Sequence, residues 1–288
     1  MRRPLAERKT VPLFAAEKGR RPLVIVTAYD APQGRLADAA GVDAILIGDS
    51  LGMTTLGYDD TLPVTLDDML MHTRAVARGQ SSRAICVEPT AEEVARRARR
   101  ALLISDLPFG AYGVSVEDGV RAGVRLIAEG GAQAVKVEGA TPIIRETVRR
   151  LVGIGVPVMG HLGLTPQSVH RFGGYKVQGK TDGDAEAVLN DARCLVEVGI
   201  FGLVLEVIPA DLAARVTAAV PVPTIGIGAG AGCDGQVQVL HDLIGLTGGP
   251  VFLHARRYVQ AGQMIQRAIA EYAEDVRARR FPTDDNAF

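Results

Sequence analysis

The feature that most constrains this sequence is a regular alternation between short apolar runs and longer amphipathic stretches. Seven runs rich in β-branched residues have the length and the flanking turn residues of buried strands. In chain order they are "PLVIVTAYD" (22–30), "DAILIGDS" (43–50), "ALLISDLP" (101–108), "QAVKVEG" (133–139), "VPVMGHLG" (156–163), "FGLVLEV" (201–207) and "VPTIGIGAG" (222–230). A weaker eighth strand is predicted near "GLTGG" (245–249).

The stretches between these runs carry apolar residues at helical spacing, and glycine follows several of them where a helix would end. They are "LDDMLMHTRAVARG" (66–79), "SVEDGVRAGVRLIAEGG" (115–131), "TPIIRETVRRLVGIG" (141–155), "DAEAVLNDARCLVEVG" (184–199), "PADLAARVTAAV" (209–220) and "QMIQRAIAEYAEDVRARR" (263–280). Strand and helix alternating about eight times predicts an α/β protein with parallel strands, a (β/α)8 TIM barrel. A doubly wound open sheet is the alternative, but "TAYDAPQG" stands after the first strand where that fold would place a GxGxxG turn.

The length of the chain suits one such barrel. It has 288 residues, is 47% hydrophobic and contains 33 glycines, enough to bury a substantial core. Because no convincing interior linker is found, we expect a single domain over residues 1–288 with an N-terminal extension. The glycine-rich segment "LGLTPQSVHRFGGYKVQGKTDGD" (162–184) is unusually long for a loop of a compact domain, and loops of that length commonly act as functional lids.

Charge and cysteine content argue against several classes of function. The formal net charge is −1, from 32 basic and 33 acidic residues, which leaves no electrostatic footprint for nucleic acid or an anionic membrane. The three cysteines, Cys86, Cys194 and Cys233, have neither the spacing of a zinc site nor the even number of a disulfide framework. No signal peptide or apolar span of membrane length is found. These observations predict a soluble cytoplasmic protein.

Polar residues stand at the ends of five predicted strands. They are Asp49, Asp106, Glu138, His161 and Glu206. In a parallel barrel these strand ends meet on the C-terminal rim, where barrel enzymes build their active sites. Carboxylates gathered there would be costly to bury unless a cation neutralised them. Oxygen ligands favour Mg²⁺ or Mn²⁺ over zinc, so Asp49 is interpreted as a metal ligand held on a rigid strand.

Each candidate also has a structural interpretation. Asp49 could cap the next helix, as an Asp at a strand end often does. Lys136 precedes Glu138 by two residues, which puts both side chains on one face of the strand, where they could form an ion pair. His161 could be a hydrogen-bonded packing residue, because no second histidine stands nearby. The tract "GIGAGAGCDG" (226–235) invites comparison with a phosphate cradle, although glycine-rich turns of this kind are common.

Several motifs, taken in order, resemble the ketopantoate hydroxymethyltransferase family. They are "GDSLGM", "LGYDDTLPVTLDDM", "SDLPFGAY", "VKVEG", "GHLGLTPQSV", "FGGYKVQG", "LVLEVIP" and "GIGAG" with "CDGQ". The resemblance runs from "VTAYD" (26–30) to the "FPTDDNAF" tail and covers nearly the whole chain. One fragment alone would be weak, but the ordered set is highly specific. The family belongs to the phosphoenolpyruvate mutase and isocitrate lyase superfamily of barrels.

The resemblance implies a Mg²⁺ site on three of these carboxylates. By their positions in the motifs, Asp49 of "GDS" and Asp106 of "SDLPF" would bind the cation, and Glu138 of "VKVEG" would reach it through water. Ser50 and Lys136 would bind the substrate, an oxo acid, together with the two aspartates. The three carboxylates are among the residues that stand at the predicted strand ends.

The resemblance also implies the reaction, in which 5,10-methylenetetrahydrofolate donates a hydroxymethyl group to 3-methyl-2-oxobutanoate. The products are 2-dehydropantoate and tetrahydrofolate, in the first step of pantothenate biosynthesis. Glu206 of "LVLEVIP" would be the general base that removes the C3 hydrogen and yields a Mg²⁺-stabilised enolate. His161 receives no catalytic role. The expected partners are these two small molecules, without nucleic acid or membrane, and further copies of the chain in a homo-oligomer, commonly a decamer of two pentameric rings.

One segment departs from the family pattern. Residues near 80–100 form a predicted surface insertion before "DLPF", so "RAICVE" (83–88) and "ALLISD" (101–106) both compete for the third strand. The match to "DLPFGAY" favours the second run. Two other functions are kept open: another enzyme of the superfamily acting on a Mg²⁺-bound oxo acid, and a non-catalytic metabolite-binding barrel. The lyases of the superfamily carry a Lys-Lys-Cys-Gly-His stretch that this sequence lacks.

Overall fold

Eight parallel strands close into a barrel in chain order, with the last strand paired to the first. The computed structural model describes residues 9–81, 101–247 and 253–288. The strands are β1 Leu23–Thr27, β2 Ala44–Ile47, β3 Leu102–Asp106, β4 Ala134–Glu138, β5 Val158–Gly163, β6 Gly202–Glu206, β7 Thr224–Ile227 and β8 Gly235–Gln238. The predicted (β/α)8 barrel is confirmed, and the doubly wound sheet is wrong. The third strand is the "ALLISD" run, as the motif match favoured.

Helices alternate with the strands along the chain, and the six that periodicity predicted are confirmed. The α-helices are Val11–Ala15, Ala31–Ala39, Leu51–Thr54, Leu66–Ser81, Val116–Arg125, Pro142–Gly153, Val169–Phe172, Asp182–Glu197, Ala210–Ala219, Leu240–Ile244 and Ala261–Arg277. A π-helical turn, Leu126–Gly130, continues one of them, and short 3₁₀ turns lie at Pro166–Ser168 and Asp284–Asn286. The side chains of Ser115, Thr141 and Thr181 each accept a hydrogen bond from a backbone N–H in the first turn of the helix that follows.

The eighth strand lies earlier in the chain than predicted. Residues 245–247 form a turn and bend rather than a strand, and 248–249 lie outside the described residues. The strand prediction near 245–249 is therefore wrong where the structure describes it. Gly235 begins the actual strand, and a Cβ atom there would lie only 2.5 Å from the Leu23 carbonyl oxygen. Only glycine permits this close pairing. The sequence "GQVQ" is too short and has too few apolar residues to be predicted as a strand.

Apolar side chains fill the end of the barrel at which the strands begin. Phe14, from the helix Val11–Ala15, is fully buried and packs edge-to-face on Phe201, with ring centroids 5.9 Å apart. The core around these rings draws on all eight strands through Leu23, Ile25, Ala44, Leu46, Leu102, Ile104, Ala134, Met159, Val204, Ile225, Ile227 and Val237. The polar residues predicted at the strand ends, Asp49 to Glu206, therefore lie at the other end of the strands.

Residues Val239–Phe288 form a second compact unit. Within it, the Tyr258 N–H donates to the Leu243 carbonyl oxygen at 2.8 Å. The single-domain organisation over 1–288 stays a prediction. So does the surface insertion near 80–100, because residues 82–100 lie outside the described residues. Across the ranges that the structure describes, no helix combines the length and the apolar character that crossing a bilayer requires.

Replacing Phe14 with alanine should destabilise the barrel by about 3–5 kcal/mol, because it removes a fully buried aromatic ring and leaves a cavity. Leu13→Ala is the matched control on the same helix, since Leu13 is 38% exposed and should cost far less. The measurement is the midpoint of urea denaturation at a fixed protein concentration. Equal midpoints for the two variants would contradict the assigned role of Phe14 in the core.

Candidate functional site

The polar residues predicted at five strand ends lie together on the C-terminal rim of the barrel. Asp106, Glu138 and Glu206 end their strands, Asp49 lies two residues beyond β2, and His161 lies within β5. His161 pairs with Glu138 in the register of β4 and β5. All except Glu206 are at most 5% exposed. Five separate segments of the sequence therefore supply one cluster of titratable side chains.

The Lys136 ammonium lies at the centre of this cluster. Its Nζ atom is 3.2 Å from Asp106 Oδ2, 3.9 Å from Glu138 Oε1 and 3.0 Å from His161 Nδ1. Asp49 joins the group through its backbone N–H, which donates to Asp106 Oδ2 at 3.1 Å. Lys136 is therefore ion-paired, but its nearer partner is Asp106 rather than Glu138.

His161 connects the buried lysine to Glu206. Its Nδ1 atom faces Lys136 and lies 3.5 Å from Glu138 Oε1. Its Nε2 atom lies 3.2 Å from Glu206 Oε2, although the contact lacks hydrogen-bond alignment. Both ring nitrogens thus face charged side chains. A packing role alone does not account for this placement.

Burial and mutual repulsion act on the buried acids. Burial raises the pKa of Asp49 well above its ordinary value, and the charges of Glu138 and Asp106 add to the rise. Burial also raises the pKa of Asp106, which Lys136 opposes and Glu138 reinforces. The pKa of Glu138 is lowered despite its burial, because its hydrogen bond with His161 and the nearby positive charges favour the carboxylate. The positive charges near Asp49 and Asp106 therefore do not fully compensate their burial and the neighbouring negative charges.

The neighbouring carboxylates favour the charged forms of the two basic side chains. Burial lowers the pKa of Lys136, but the surrounding carboxylates, Asp106 first, raise it overall. Burial and the Lys136 charge lower the pKa of His161, yet contacts with Glu138 and Glu206 raise it to about 9. Even with both groups charged, the four carboxylates of the cluster outnumber the cations by two. With its acids ionised, the cluster therefore carries an excess of negative charge.

This donor set fits a hard divalent cation. A dication would neutralise the excess charge, and carboxylate oxygens are the ligands that Mg²⁺ and Mn²⁺ prefer. Asp106 Oδ1 is buried and accepts no hydrogen bond from any residue that the structure describes. Such an atom is costly unless something binds it. Asp49 and Glu138 supply further oxygens beside it, so these three residues could hold the cation.

The cluster is not a complete metal cage. In the ranges 9–81, 101–247 and 253–288, no group of three or more His, Cys, Asp or Glu side chains is arranged to hold a metal ion by itself. Mg²⁺ usually takes one or two protein carboxylates, with waters and substrate oxygens completing its shell. Asp49 and Asp106 would be the two protein carboxylates of such a site.

Ser50 lies at the edge of the cluster and not within it. Its Oγ atom is 2.8 Å from the hydroxyl of Tyr29, whose pKa is raised to about 12 by burial. Gly48 lies between Ser50 and Asp106: a Cβ atom there would be 2.7 Å from Ser50 Oγ and 3.7 Å from Asp106 Oδ2. The predicted site residues are thus brought to one place, with the Ser50 hydroxyl directed to a phenol that sequence reasoning missed.

Two further buried residues, Gln167 and Tyr112, contact the predicted metal ligands. Gln167 Nε2 donates to Asp49 Oδ2 at 2.8 Å, so Asp49 does not serve as a cap of the helix that follows it. Tyr112 donates to Gln167 Oε1 and accepts from the Glu138 N–H, both at 2.8 Å. Sequence reasoning missed both residues, although they lie in the quoted motifs "SDLPFGAY" and "GHLGLTPQSV". The signal that could have identified them is that both are polar residues within these motifs.

The backbone beside Glu206 is strained. Val207 has a φ of 46°, in the left-handed region that a β-branched residue rarely adopts. Its N–H donates to the Ile227 carbonyl oxygen at 2.9 Å, and its own carbonyl accepts from Gln178 N at 3.0 Å. On the neighbouring strand, a Cβ atom at Gly163 would lie 2.3 Å from the Glu206 carbonyl oxygen. These contacts fix the backbone from which Glu206 projects.

The long loop after β5 lies near the rim. Tyr175 is half exposed, and its hydroxyl is 3.6 Å from the sulfur of Met53. Burial raises the pKa of Tyr175, and the charges of Asp60 and Asp49 add to the rise. The loop is thus close enough to the cluster for the negative charge of Asp49 to raise the pKa of Tyr175. This position supports the predicted role of residues 162–184 as a cover.

The glycine-rich tract 226–235 connects β7 to β8 without a helix. Gly230 adopts a φ of 77°, which favours glycine. Asp234 Oδ2 accepts from Lys18 Nζ at 2.8 Å and from the Thr224 N–H at 2.9 Å. These contacts hold the end of the tract beside the start of β7, and the phosphate cradle stays one of the two interpretations.

Sequence comparison identifies relatives along nearly the whole chain. The model of the family described as ketopantoate hydroxymethyltransferase matches residues 8–91 and 87–284. A 3-methyl-2-oxobutanoate hydroxymethyltransferase from Moorella thermoacetica is 48% identical over 285 residues, which cover 98% of each chain. The protein of the same name from Deinococcus radiodurans is 51% identical over 267 residues, covering 93% of this chain and 88% of that protein.

Solved structures of low sequence identity share the fold. Phosphonopyruvate hydrolase in complex with oxalate and Mg²⁺ aligns with a TM-score of 0.59 at 14% identity, covering 98% of this chain and 91% of that chain. Oxaloacetate acetylhydrolase gives a TM-score of 0.58 at 16% identity, covering 99% and 92%. At these identities the likeness extends to the barrel alone, because one fold can support many reactions.

Mg²⁺ or Mn²⁺ should raise the melting temperature of the protein, since a ligand of the folded state stabilises it. Asp106→Asn should remove most of that rise and weaken Mn²⁺ binding in a calorimetric titration by more than about tenfold, because even outer-shell partners of a metal change affinity by 10- to 100-fold. Asp59→Asn removes an exposed carboxylate and should bind like the parent. Parent-like affinity in Asp106→Asn would show that the cation binds elsewhere.

Proposed function

Since the chain belongs to the ketopantoate hydroxymethyltransferase family, we propose that it transfers a hydroxymethyl group from 5,10-methylenetetrahydrofolate to 3-methyl-2-oxobutanoate. The products are 2-dehydropantoate and tetrahydrofolate, and the reaction begins pantothenate biosynthesis. The proposed resident cation is Mg²⁺. These details go beyond the family membership and rest on the residues of the rim.

The observation that carries the proposal is a continuous run of contacts from buried carboxylates to a less buried one. Asp106 contacts Lys136, Lys136 contacts His161, and His161 lies 3.2 Å from Glu206. The Glu206 side chain is 17% exposed, against 3% for Asp106. This difference supports a division of tasks, in which the buried acids bind a cation and Glu206 exchanges a proton.

The buried end of the rim would hold the oxo acid. When bound, Mg²⁺ would polarise the ketone as a Lewis acid and stabilise negative charge on its oxygen. Asp49 and Asp106 would hold the cation, with Glu138 behind them. Lys136 presents a buried positive charge to the carboxylate or ketone oxygen of the substrate, and Ser50 offers a hydroxyl beside it. The anionic substrate thus meets the one ammonium of the cluster.

Glu206 would remove the hydrogen from C3 of the oxo acid as general base. His161 lies beside Glu206, and the close approach of Gly163 fixes the backbone below the carboxylate. The electron pair of the broken C3–H bond forms a C–C bond to the methylene carbon of the iminium form of the folate, and the C=N π electrons move onto the nitrogen. Water then supplies the hydroxyl oxygen to that carbon as its remaining C–N bond breaks, and the proton that water loses passes to the folate nitrogen, so that tetrahydrofolate is released.

The folate is a co-substrate that must enter from outside the barrel. The loop 162–184 stands near the rim, and its Tyr175 offers a half-exposed aromatic ring there. We propose that this loop covers the folate while the two carbons react. Covering the site would also limit premature loss of the reactive methylene group to water.

We also propose a homo-oligomer in the cytoplasm, with the decamer of two pentameric rings as the expected form. The helix Ala261–Arg277 has no buried residue, and it exposes one apolar stripe formed by Ile265, Ile269, Tyr272 and Val276. A helix with an uncovered apolar stripe gains little stability alone, so a second copy of the chain is the proposed cover. Two free cysteines, Cys194 and Cys233, suit a reducing compartment.

Glu206→Gln should bind Mg²⁺ and the oxo acid but lose exchange of the C3 hydrogen in D₂O by at least about 100-fold, since it removes the general base. The measurement is NMR of 3-methyl-2-oxobutanoate with Mg²⁺ and without folate. Glu197→Gln, at an exposed position, is the control. Exchange at the parent rate in Glu206→Gln would remove Glu206 from this role. A parent that neither exchanges nor turns over with 5,10-methylenetetrahydrofolate would favour the non-catalytic binding barrel.

Ile269→Asp should lower the mass of the particle measured by light scattering, because a buried charge would disrupt the proposed contact between copies. Gln266→Asp introduces the same charge at an exposed position outside the apolar stripe and should leave the mass unchanged. A parent-like mass for Ile269→Asp would exclude this stripe from the interface.

A further inference from the structure

The side-chain amide of Gln167 has a fixed place beside the predicted metal ligands. Its Nε2 atom donates to Asp49 Oδ2 at 2.8 Å and to the Leu107 carbonyl oxygen at 2.9 Å. Its Oε1 atom accepts from the Tyr112 hydroxyl at 2.8 Å. Gln167 is only 9% exposed, so these partners within the protein take the place of water.

The partners determine which way this amide points. The Tyr112 hydroxyl accepts from the Glu138 N–H at 2.8 Å, so its own proton is directed to Gln167 Oε1. An ionised Asp49 and the Leu107 carbonyl can only accept, and they therefore require the NH₂ end. A flipped amide would lose all three hydrogen bonds. These three hydrogen bonds therefore fix the orientation of the Gln167 amide.

Gln167 reaches a second carboxylate through its backbone. Its N–H donates to Glu138 Oε2 at 3.0 Å. The residue lies in the short turn Pro166–Ser168 that follows β5. One residue therefore links the segment after β5 to Asp49 beyond β2, to Leu107 after β3 and to Glu138 at the end of β4.

We propose that Gln167 is a positioning residue for the divalent cation, acting through Asp49 and Glu138 without touching the cation or the substrate. The inference rests on the proposed function, because it takes these carboxylates to serve a metal site. A neutral donor orients a carboxylate while leaving its negative charge for the cation, which a lysine or arginine in the same place would neutralise. Outer-shell partners of this kind change metal affinity by about 10- to 100-fold.

Gln167→Met tests the proposal because it keeps the length of the side chain and removes every hydrogen bond of the amide. The dissociation constant for Mn²⁺, measured without substrates by electron paramagnetic resonance of the free ion, should rise by about 10- to 100-fold. Gln178→Met is the matched control. It makes the same substitution in the same loop, where the side chain donates to the Lys176 carbonyl oxygen at 2.9 Å, and it should bind like the parent.

Tyr112→Phe tests the same link from the other side, since it removes the hydroxyl that orients the amide. Its loss of Mn²⁺ affinity should be smaller than that of Gln167→Met. The double variant should lose less Mn²⁺ affinity than the sum of the two single losses, because both residues act through the Gln167 amide. Melting temperatures without metal report the folding of each variant. If Gln167→Met does not fold, Tyr112→Phe carries the test.

Three outcomes would overturn the proposal. Variants that melt earlier but keep the parent affinity for Mn²⁺ would give Gln167 and Tyr112 a structural role only. Fully additive losses in the double variant would mean that the two residues do not act through one amide. A parent protein that binds no Mn²⁺ would remove the proposed function as well, whereas a parent that binds Mn²⁺ with unaffected variants would remove this inference alone.

Discussion

The excess of buried negative charge on the C-terminal rim is the constraint on which the rest of the site depends. Four carboxylates meet one ammonium and one imidazole there, and burial raises the pKa of Asp49 and Asp106. Buried ions that lack full compensation destabilise a fold, and apolar residues of similar volume would pack more favourably. The barrel is therefore built around a charge that its own side chains do not balance.

The fold tolerates this destabilisation because the buried charges lie away from the apolar core. Phe14 and the apolar residues of all eight strands fill the end where the strands begin, while the acids stand where the strands end. Backbone pairing within the sheet holds Asp106, Glu138 and Glu206 in place, and the Asp49 N–H donates to the side chain of Asp106. Gln167 then satisfies an oxygen of Asp49 with a neutral donor, and Tyr112 donates to the amide oxygen of Gln167. Stability and binding chemistry thus draw on opposite ends of the same strands.

Much of this arrangement follows from sequence because strand ends can be located by pattern, and a parallel barrel brings such ends together. Asp49, Asp106 and Glu138 were selected on that basis. The strand beginning at Gly235 was missed, since its four residues lack an apolar run. The hydrogen bond from Gln167 to Asp49 spans 118 positions and depends on how a loop side chain turns, which periodicity does not encode. The φ of Val207 is likewise a product of the contacts around it.

Closure of the barrel has a consequence for how the chain behaves before it is complete. The rim collects residues from Asp49 to Glu206, yet the sheet closes only when β8 pairs with β1, a contact between distant parts of the chain. Pairings of such long range form slowly. A ligand that bridges several strand ends therefore binds the finished barrel and, by mass action, draws partly assembled chains towards it. A supply of such a ligand would then raise the fraction of chains that are folded, in addition to its effect on each folded molecule.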